Sequence, residues 1–293
     1  MSLITALYLA LGLFTAYYLV VFTRGLKQMT ARGDEIKPSV IGIATGAVTN
    51  FFDTLGIGSY ATTTTIFRST KQVRDEKIPG TLNVGHTLPT VVEAMVYVSL
   101  FQTAVDATTL VEMIVAAVAG AWLGARVFGR WPRRKIQIGM GLALLGAAAL
   151  FLMTQLNLFP AGGDTLGLSG IRLGVGLAGN FVLGVLMMLG IGLYGPCMIL
   201  VSLLGMNPTA AFPIMMGSCA FLMPIASMRF VRTRTYHKQA AWGLAIGAVP
   251  AVLIAAYVVT SLSLTAVRWL VIVVVVYTSL NMLLTASAEA SKA

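Results

Sequence analysis

The sequence predicts an all-α polytopic membrane protein, folded as an inverted-topology repeat with two re-entrant helical hairpins meeting near the midplane. Three observations predict it. Hydrophobic residues make up 57% of the 293 residues and charged residues only 10%, with a mean hydropathy of +0.86. A soluble domain carries about 25% charged residues, so this chain has too little polar surface to face water. Next, 17 of the 20 Lys and Arg fall in four short stretches between apolar segments. Finally, the second half of the chain echoes the first at a fixed spacing. The same composition excludes a disordered, collagenous or coiled-coil chain.

The elements follow in order. Leu3 to Phe22 is a first spanning helix. It lacks a basic leader and a small-residue cleavage site, so it is expected to be retained. The first basic stretch, Arg24, Lys27, Arg32 and Lys37, comes directly after it. The others are Arg68, Lys71, Arg74 and Lys77; Arg126, Arg130, Arg133, Arg134 and Lys135; and Arg229, Arg232, Arg234 and Lys238. Short basic loops between apolar segments are the positive-inside pattern, so the net charge of +10 is directed at the membrane surface and not at nucleic acid. Residues 82–102, 107–128, 135–155, 209–228, 239–260 and 265–285 each approach the roughly 20 residues of a spanning helix.

Residues 39–67 and 172–205 are too long for one crossing, and each is broken by Leu-Gly-Ile-Gly. Basic loops flank both ends of the first. A re-entrant hairpin keeps both loops on one side, and arms of about 12 residues suit half a membrane at 1.5 Å per residue. The flanks of the second, 156–171 and 206–212, carry no basic residue, so it enters from outside. This topology places the chain in the cytoplasmic (inner) membrane with its N-terminus outside and its C-terminus in the cytoplasm. The loop at 103–106 and the turn at Ser261–Ser263 fall outside, and Arg268 is a mild exception near the outer edge.

A shift of 134 residues aligns Leu55, Gly56, Ile57, Gly58 and Tyr60 with Leu189, Gly190, Ile191, Gly192 and Tyr194. It also aligns Gly42 with Gly176, Ala44 with Ala178, Pro79 with Pro213 and Leu88 with Leu222; after one inserted residue Pro89 meets Pro224. An ungapped match of this length marks a repeat. The expected organisation is a terminal helix and basic loop (1–37), a first repeat (38–160) and a second, inverted repeat (161–293), each repeat a hairpin followed by three helices.

Broken helices at the midplane define the candidate site. The second arm of each hairpin starts near its Gly-Ile-Gly turn with backbone N–H groups that lack helical partners, and two such starts facing each other suit an anion. Gly56, Gly58, Gly190 and Gly192 allow a ligand close to the backbone, although glycines also serve helix packing. Asn50, Thr54, Ser59, Asn83, His86, Thr87, Tyr194 and Ser218 supply polar groups beside them. Cys197 and Cys219 lie in the same stretches, with packing as small hydrophobes the plainer alternative. Asp53 and Glu93 are the acids set most clearly within apolar segments, and an intramembrane acid is a functional candidate, here for coupling or gating. His86 and Glu93, seven residues apart, share a helix face unless Pro89 kinks it. Two histidines and two cysteines, scattered, make no metal centre, and no cofactor motif or phosphate loop is present.

The stretches Phe51 to Ser59, 79–89, Leu189 to Cys197 and Pro213 to Pro224 together resemble the TauE/SafE sulfite exporters, also called the toluene sulfonate uptake permeases. The resemblance covers most of 38–285. Gly-Ile-Gly stands where that family commonly has a Gly-Gly-Gly-type turn, and the first hairpin adds an aspartate. The resemblance implies a transporter of sulfite, thiosulfate or an organosulfonate, and not an enzyme. Its partners would be that small sulfur-containing anion, membrane lipid, and, as further options, protons and a second copy of the chain. Two other functions remain open from sequence: an intramembrane thiol-dependent sulfur-transfer enzyme using Cys197 or Cys219, and a non-transporting scaffold.

Overall fold

The computed structural model describes residues 3–30, 37–54, 58–100, 105–128, 131–158, 162–258 and 265–290. These form eleven α-helices with no strand among them. They are α1 (Leu3–Thr30), α2 (Val40–Thr54), α3 (Ser59–Ser69), α4 (Ile78–Leu100), α5 (Ala107–Phe128), α6 (Arg133–Gln155), α7 (Gly170–Met187), α8 (Tyr194–Leu203), α9 (Ala211–Thr233), α10 (Lys238–Val258) and α11 (Thr265–Ala290). Among the described residues, six helices are long and apolar enough to cross a membrane: α1, α5, α6, α7, α9 and α10. The chain is a multi-pass membrane protein. α4 matches them in length, at 23 residues, but buries Asn83, His86, Thr87 and Glu93 along one turn after another. It runs unbroken through Pro89.

Both long segments are broken as the glycines predict, though not into equal halves. The breaks fall between α2 and α3 and between α7 and α8. α7 has 18 residues, about 27 Å at 1.5 Å per residue, well beyond half a bilayer; its partner α8 has only 10. The reason is that α7 starts at Gly170, before the expected boundary, and stays regular to Met187.

Hydrogen bonds gather the loops at two ends of the bundle. At one end Ser39 N–H reaches Gln239 C=O (3.0 Å), His237 N–H reaches Thr81 Oγ1 (2.9 Å), and Gln72 bonds Ser39. Arg68 pairs with Asp75 (2.9 Å), whose other oxygen accepts Gln137 Nε2 (2.8 Å), and Arg68 also donates to Asn281 (3.1 Å). The basic stretches meet here. His237 is held below the usual imidazole range by partial burial and by Lys77 and Lys238. At the other end Asp106 N–H bonds Leu166 C=O, Gly163 N–H bonds Met206 C=O and Asn207 N–H bonds Thr165 C=O, all within 3.0 Å. The start of α2 and the end of α3 therefore lie at the basic end, and the start of α7 and the end of α8 at the opposite end.

Helix pairing follows a second regularity. α2 lies along α10 and α7 along α5; α4 meets α9, and α6 meets α11. α5 touches α9 as α10 touches α4, and α8 touches α6 as α3 touches α11. Exchanging α2–α6 with α7–α11 maps this set of pairings onto itself. Glycine permits the closest of them. A Cβ on Gly46 would sit 2.3 Å from Leu244 O, and one on Gly184 2.1 Å from Ala117 O. Close backbone approach takes the place of a hydrophobic driving force, which lipid does not provide. α1 stands outside the scheme, packed mainly on α9.

Candidate functional site

The first cluster is built where α2, α3 and α4 meet. Asn50 near the end of α2 faces His86 on α4: His86 Nδ1 is 3.0 Å from Asn50 Nδ2 and 3.1 Å from its Oδ1. His86 Nε2 lies 3.1 Å from Thr63 Oγ1 on α3, which donates to Thr49 Oγ1 at 3.1 Å. A neutral imidazole, with one donor and one acceptor, is satisfied by this pair. The ring of Tyr60 tilts against it, centroids 5.6 Å apart, and Tyr60 O–H donates to Asn83 Oδ1 at 3.3 Å. His86 is thus a hydrogen-bonded, fully buried ring.

The second cluster lies where both broken helices start. Asp53 closes α2 and is buried; its carboxylate accepts from the backbone N–H and hydroxyl of Ser59, the first residue of α3. Gly58 just before it has φ +84, which glycine adopts at no steric cost. α8 begins at Tyr194 without a side-chain cap, and Tyr194 O–H donates to Glu93 Oε2 at 3.0 Å. The other oxygen of Glu93 is buried with no hydrogen-bond partner. Asp53 lies within electrostatic reach of Glu93, Tyr194, Tyr60 and Cys219. Each broken helix therefore begins at a residue bonded to a carboxylate, and both carboxylates belong to one neighbourhood. Among the described residues no Lys or Arg side chain is buried to neutralise them.

The structure separates other expected members. Cys219 Sγ sits 3.8 Å from Met187 Sδ, and Cys197 is buried beside it; neither has a basic partner. Ser218 accepts from Asn180 Nδ2 on α7 (3.0 Å), which also reaches Met113 C=O (2.7 Å). Thr54 bonds back to Asn50 C=O, and Thr87 bonds back to Asn83 C=O while meeting Ser227 Oγ on α9 at 2.8 Å. Of the four consecutive threonines Thr62–Thr65 on α3, Thr62 and Thr65 bond back to carbonyls three or four residues earlier, and only Thr63 reaches His86. Gly56 lies outside the described residues. The two glycine turns are not copies: the left-handed φ in the second falls on Gly190 (+101), and Gly192 is not left-handed. A Cβ on either Gly58 or Gly192 would meet nothing within 4 Å.

Sequence reasoning missed Tyr60 and Thr49 as members, and it missed Asn180 and Ser227 as the partners that take up Ser218 and Thr87. Tyr60 carried a usable signal, since the repeat aligns it with Tyr194. Asn180 was another, an amide deep in an apolar run.

Broken helices starting at buried carboxylates, inside a bundle with six membrane-length helices, are the features of a membrane transporter. The model of one protein family, described as Sulfite exporter TauE/SafE, matches residues 2–151. The chain belongs to the TauE/SafE family of membrane transporters. The match runs from α1 through most of α6. No curated protein and no solved structure matches the chain.

Proposed function

We propose that this protein carries a small oxyanion (sulfite, thiosulfate or an organosulfonate) out of the cell across the cytoplasmic membrane. The observation that carries this reading is the shared neighbourhood of two buried carboxylates, Asp53 bonded to the first residue of α3 and Glu93 bonded to the side-chain hydroxyl of the first residue of α8. In this reading residues 1–37 form a terminal helix and loop, and 38–160 and 161–293 are repeats of opposite orientation. The exchange symmetry of the helix pairing supports the repeat. The return of α3 to the end where α2 starts, and of α8 to the end where α7 starts, supports two re-entrant hairpins. The basic end is cytoplasmic by the positive-inside rule, with the N-terminus outside and the C-terminus inside. Gly58, Ser59, Gly190, Gly192 and Tyr194 line the anion's path, with Asn50, Asn83 and His86 behind them; Thr54, Thr87, Ser218, Cys197 and Cys219 form its outer wall.

Asp53 and Glu93 couple the anion to protons. An arriving anion competes with Asp53 for the Ser59 donors and with Glu93 for Tyr194. Two unit charges of one sign 4 Å apart repel by about 4 kcal/mol at an effective dielectric of 20. With no buried cation at hand, a proton on the displaced carboxylate is the available neutraliser. A dianion leaving with one proton still carries one negative charge outward, which an inside-negative potential favours by about 2.3 kcal/mol per 100 mV. Flux of sulfite, thiosulfate and sulfonates through proteoliposomes, with and without a proton gradient, tests the function. Saturable flux of one of these is expected. Turnover of a sulfur compound without flux would establish the thiol enzyme in its place, and neither would leave a scaffold.

A further inference from the structure

Away from the acid centre, at the basic end, α1 and α9 run side by side in the same direction. Phe14 meets Phe221 edge-on, Gly25 lies against Val231, and Arg232 Nη2 donates to Tyr17 O–H at 2.9 Å. Between their ends is a cavity of about 250 Å³ lined by Tyr17, Arg24, Gln28, Arg232 and Arg234 together with Val21 and Val231. Among the described residues neither Arg24 nor Arg234 pairs with an acid. Three guanidiniums thus surround one small space with no carboxylate in it. Below the cavity the outward face of α1 is apolar and exposed at Leu13 (73%), Tyr17 (51%) and Val20 (43%). A second cavity nearby shares Arg234 but is also lined by Glu76 and Lys77, so its charge is mixed.

We propose that the α1–α9 cavity binds the phosphodiester headgroup of an anionic phospholipid, whose acyl chains lie along the exposed face of α1. The chemistry is direct. Guanidinium presents paired N–H donors that match two phosphate oxygens, and three of them compensate a charge that water would otherwise solvate. Arginine pockets between spanning helices at the cytoplasmic side are suited to anionic headgroups, where the leaflet supplies them. A free anion shares the phosphate chemistry but has no use for the apolar strip that continues from the cavity; the lipid uses both. The site is independent of the transported substrate but rests on the cytoplasmic placement of the basic end proposed above.

The test uses the whole protein, purified and placed in phosphatidylcholine nanodiscs with or without phosphatidylglycerol. Native mass spectrometry counts retained lipid, and thermal unfolding reads its effect. Arg24→Gln with Arg234→Gln leaves the Arg232–Tyr17 bond in place and so preserves the α1–α9 contact. Lys71→Gln with Arg74→Gln removes the same charge from a different basic loop. The expected result is selective retention of phosphatidylglycerol, with affinity lowered about tenfold or more by the arginine pair and unchanged by the control pair. Equal loss in both pairs would show a diffuse surface charge and overturn the site. Full protection by inorganic phosphate without lipid would overturn the lipid assignment, as would equal retention of phosphatidylcholine.

Discussion

Asp53 is the residue on which the transport reading turns. It accepts two hydrogen bonds from Ser59, so replacing it by Asn keeps an acceptor and the side-chain shape while removing the proton site. Carried by Asp53, proton coupling makes wild-type flux rise as pH falls, because only the neutral acid yields its donors to the anion. Asp53→Asn should abolish this pH dependence and pH-driven accumulation, yet keep passive exchange in proteoliposomes. An unchanged pH profile would move the role to Glu93 or His86. The turn glycines offer a cleaner probe than their sequence symmetry implies. Gly192 has neither a left-handed φ nor a neighbour within 4 Å of its missing Cβ. Gly192→Val should therefore leave unfolding temperature almost unchanged while lowering flux several-fold, if the anion approaches that backbone. Gly58→Val is expected to lower flux too, but its φ of +84 with ψ 132 lies outside the left-handed helical well and adds strain of about 1–3 kcal/mol. Comparing flux with stability in the two variants separates blockage from strain; full flux in both would exclude the glycines from the path.

At the scale of the element, the α2–α10 and α5–α7 contacts hold each broken helix against the other half of the chain. Gly46→Ala places a methyl carbon 2.3 Å from the Leu244 carbonyl oxygen, and Gly184→Ala places one 2.1 Å from that of Ala117. Neither backbone can yield without separating two helices, so each variant should lose about 1–3 kcal/mol of stability, the usual range for overpacking. Thermal unfolding in detergent is the measurement, with Gly146→Ala, which meets nothing within 4 Å, as the unaffected control. Matching losses at Gly46 and Gly184 would fit the corresponding roles of α2 and α7 in the two halves. A neutral Gly46→Ala would contradict the close packing. The sequence foretold the helices themselves closely: α5 occupies the expected 107–128, and α6 begins only two residues early. It misjudged α7, because hydrophobicity marks where a helix can lie and a glycine-rich turn marks only roughly where it stops.

For the whole molecule, the decisive prediction is sidedness. In a chain with Cys197 and Cys219 replaced, single cysteines at Thr70 and Thr235 should react with an impermeant thiol reagent from the cytoplasmic side only. Single cysteines at Asp164 and Asn207 should react only from outside. The first pair brackets the end of α3 and the α9–α10 turn; the second brackets the loops at the opposite end. Labelling of Thr70 and Thr235 from opposite faces would show that α2–α3 crosses the membrane and would defeat the re-entrant reading.

By itself the sequence determined the class, the helix count in outline and the two breaks. Apolar length, basic loops and glycine turns are local properties, and each leaves its mark on consecutive residues. It also marked Asp53, Glu93 and His86, because a polar group in an apolar segment stands out wherever the chain folds. Only the tertiary structure decided which of them act together. His86 and Glu93 share α4 as their spacing foretold, yet His86 is taken up by Asn50 and Thr63 while Glu93 turns to Tyr194, 101 residues away. Ser218 and Cys219, adjacent in sequence, take different partners: Ser218 bonds Asn180, and Cys219 meets Met187, two turns further along α7. A helix rotates about 100° per residue, so adjacent side chains point to different neighbours, and the identity of those neighbours is fixed by packing between distant segments.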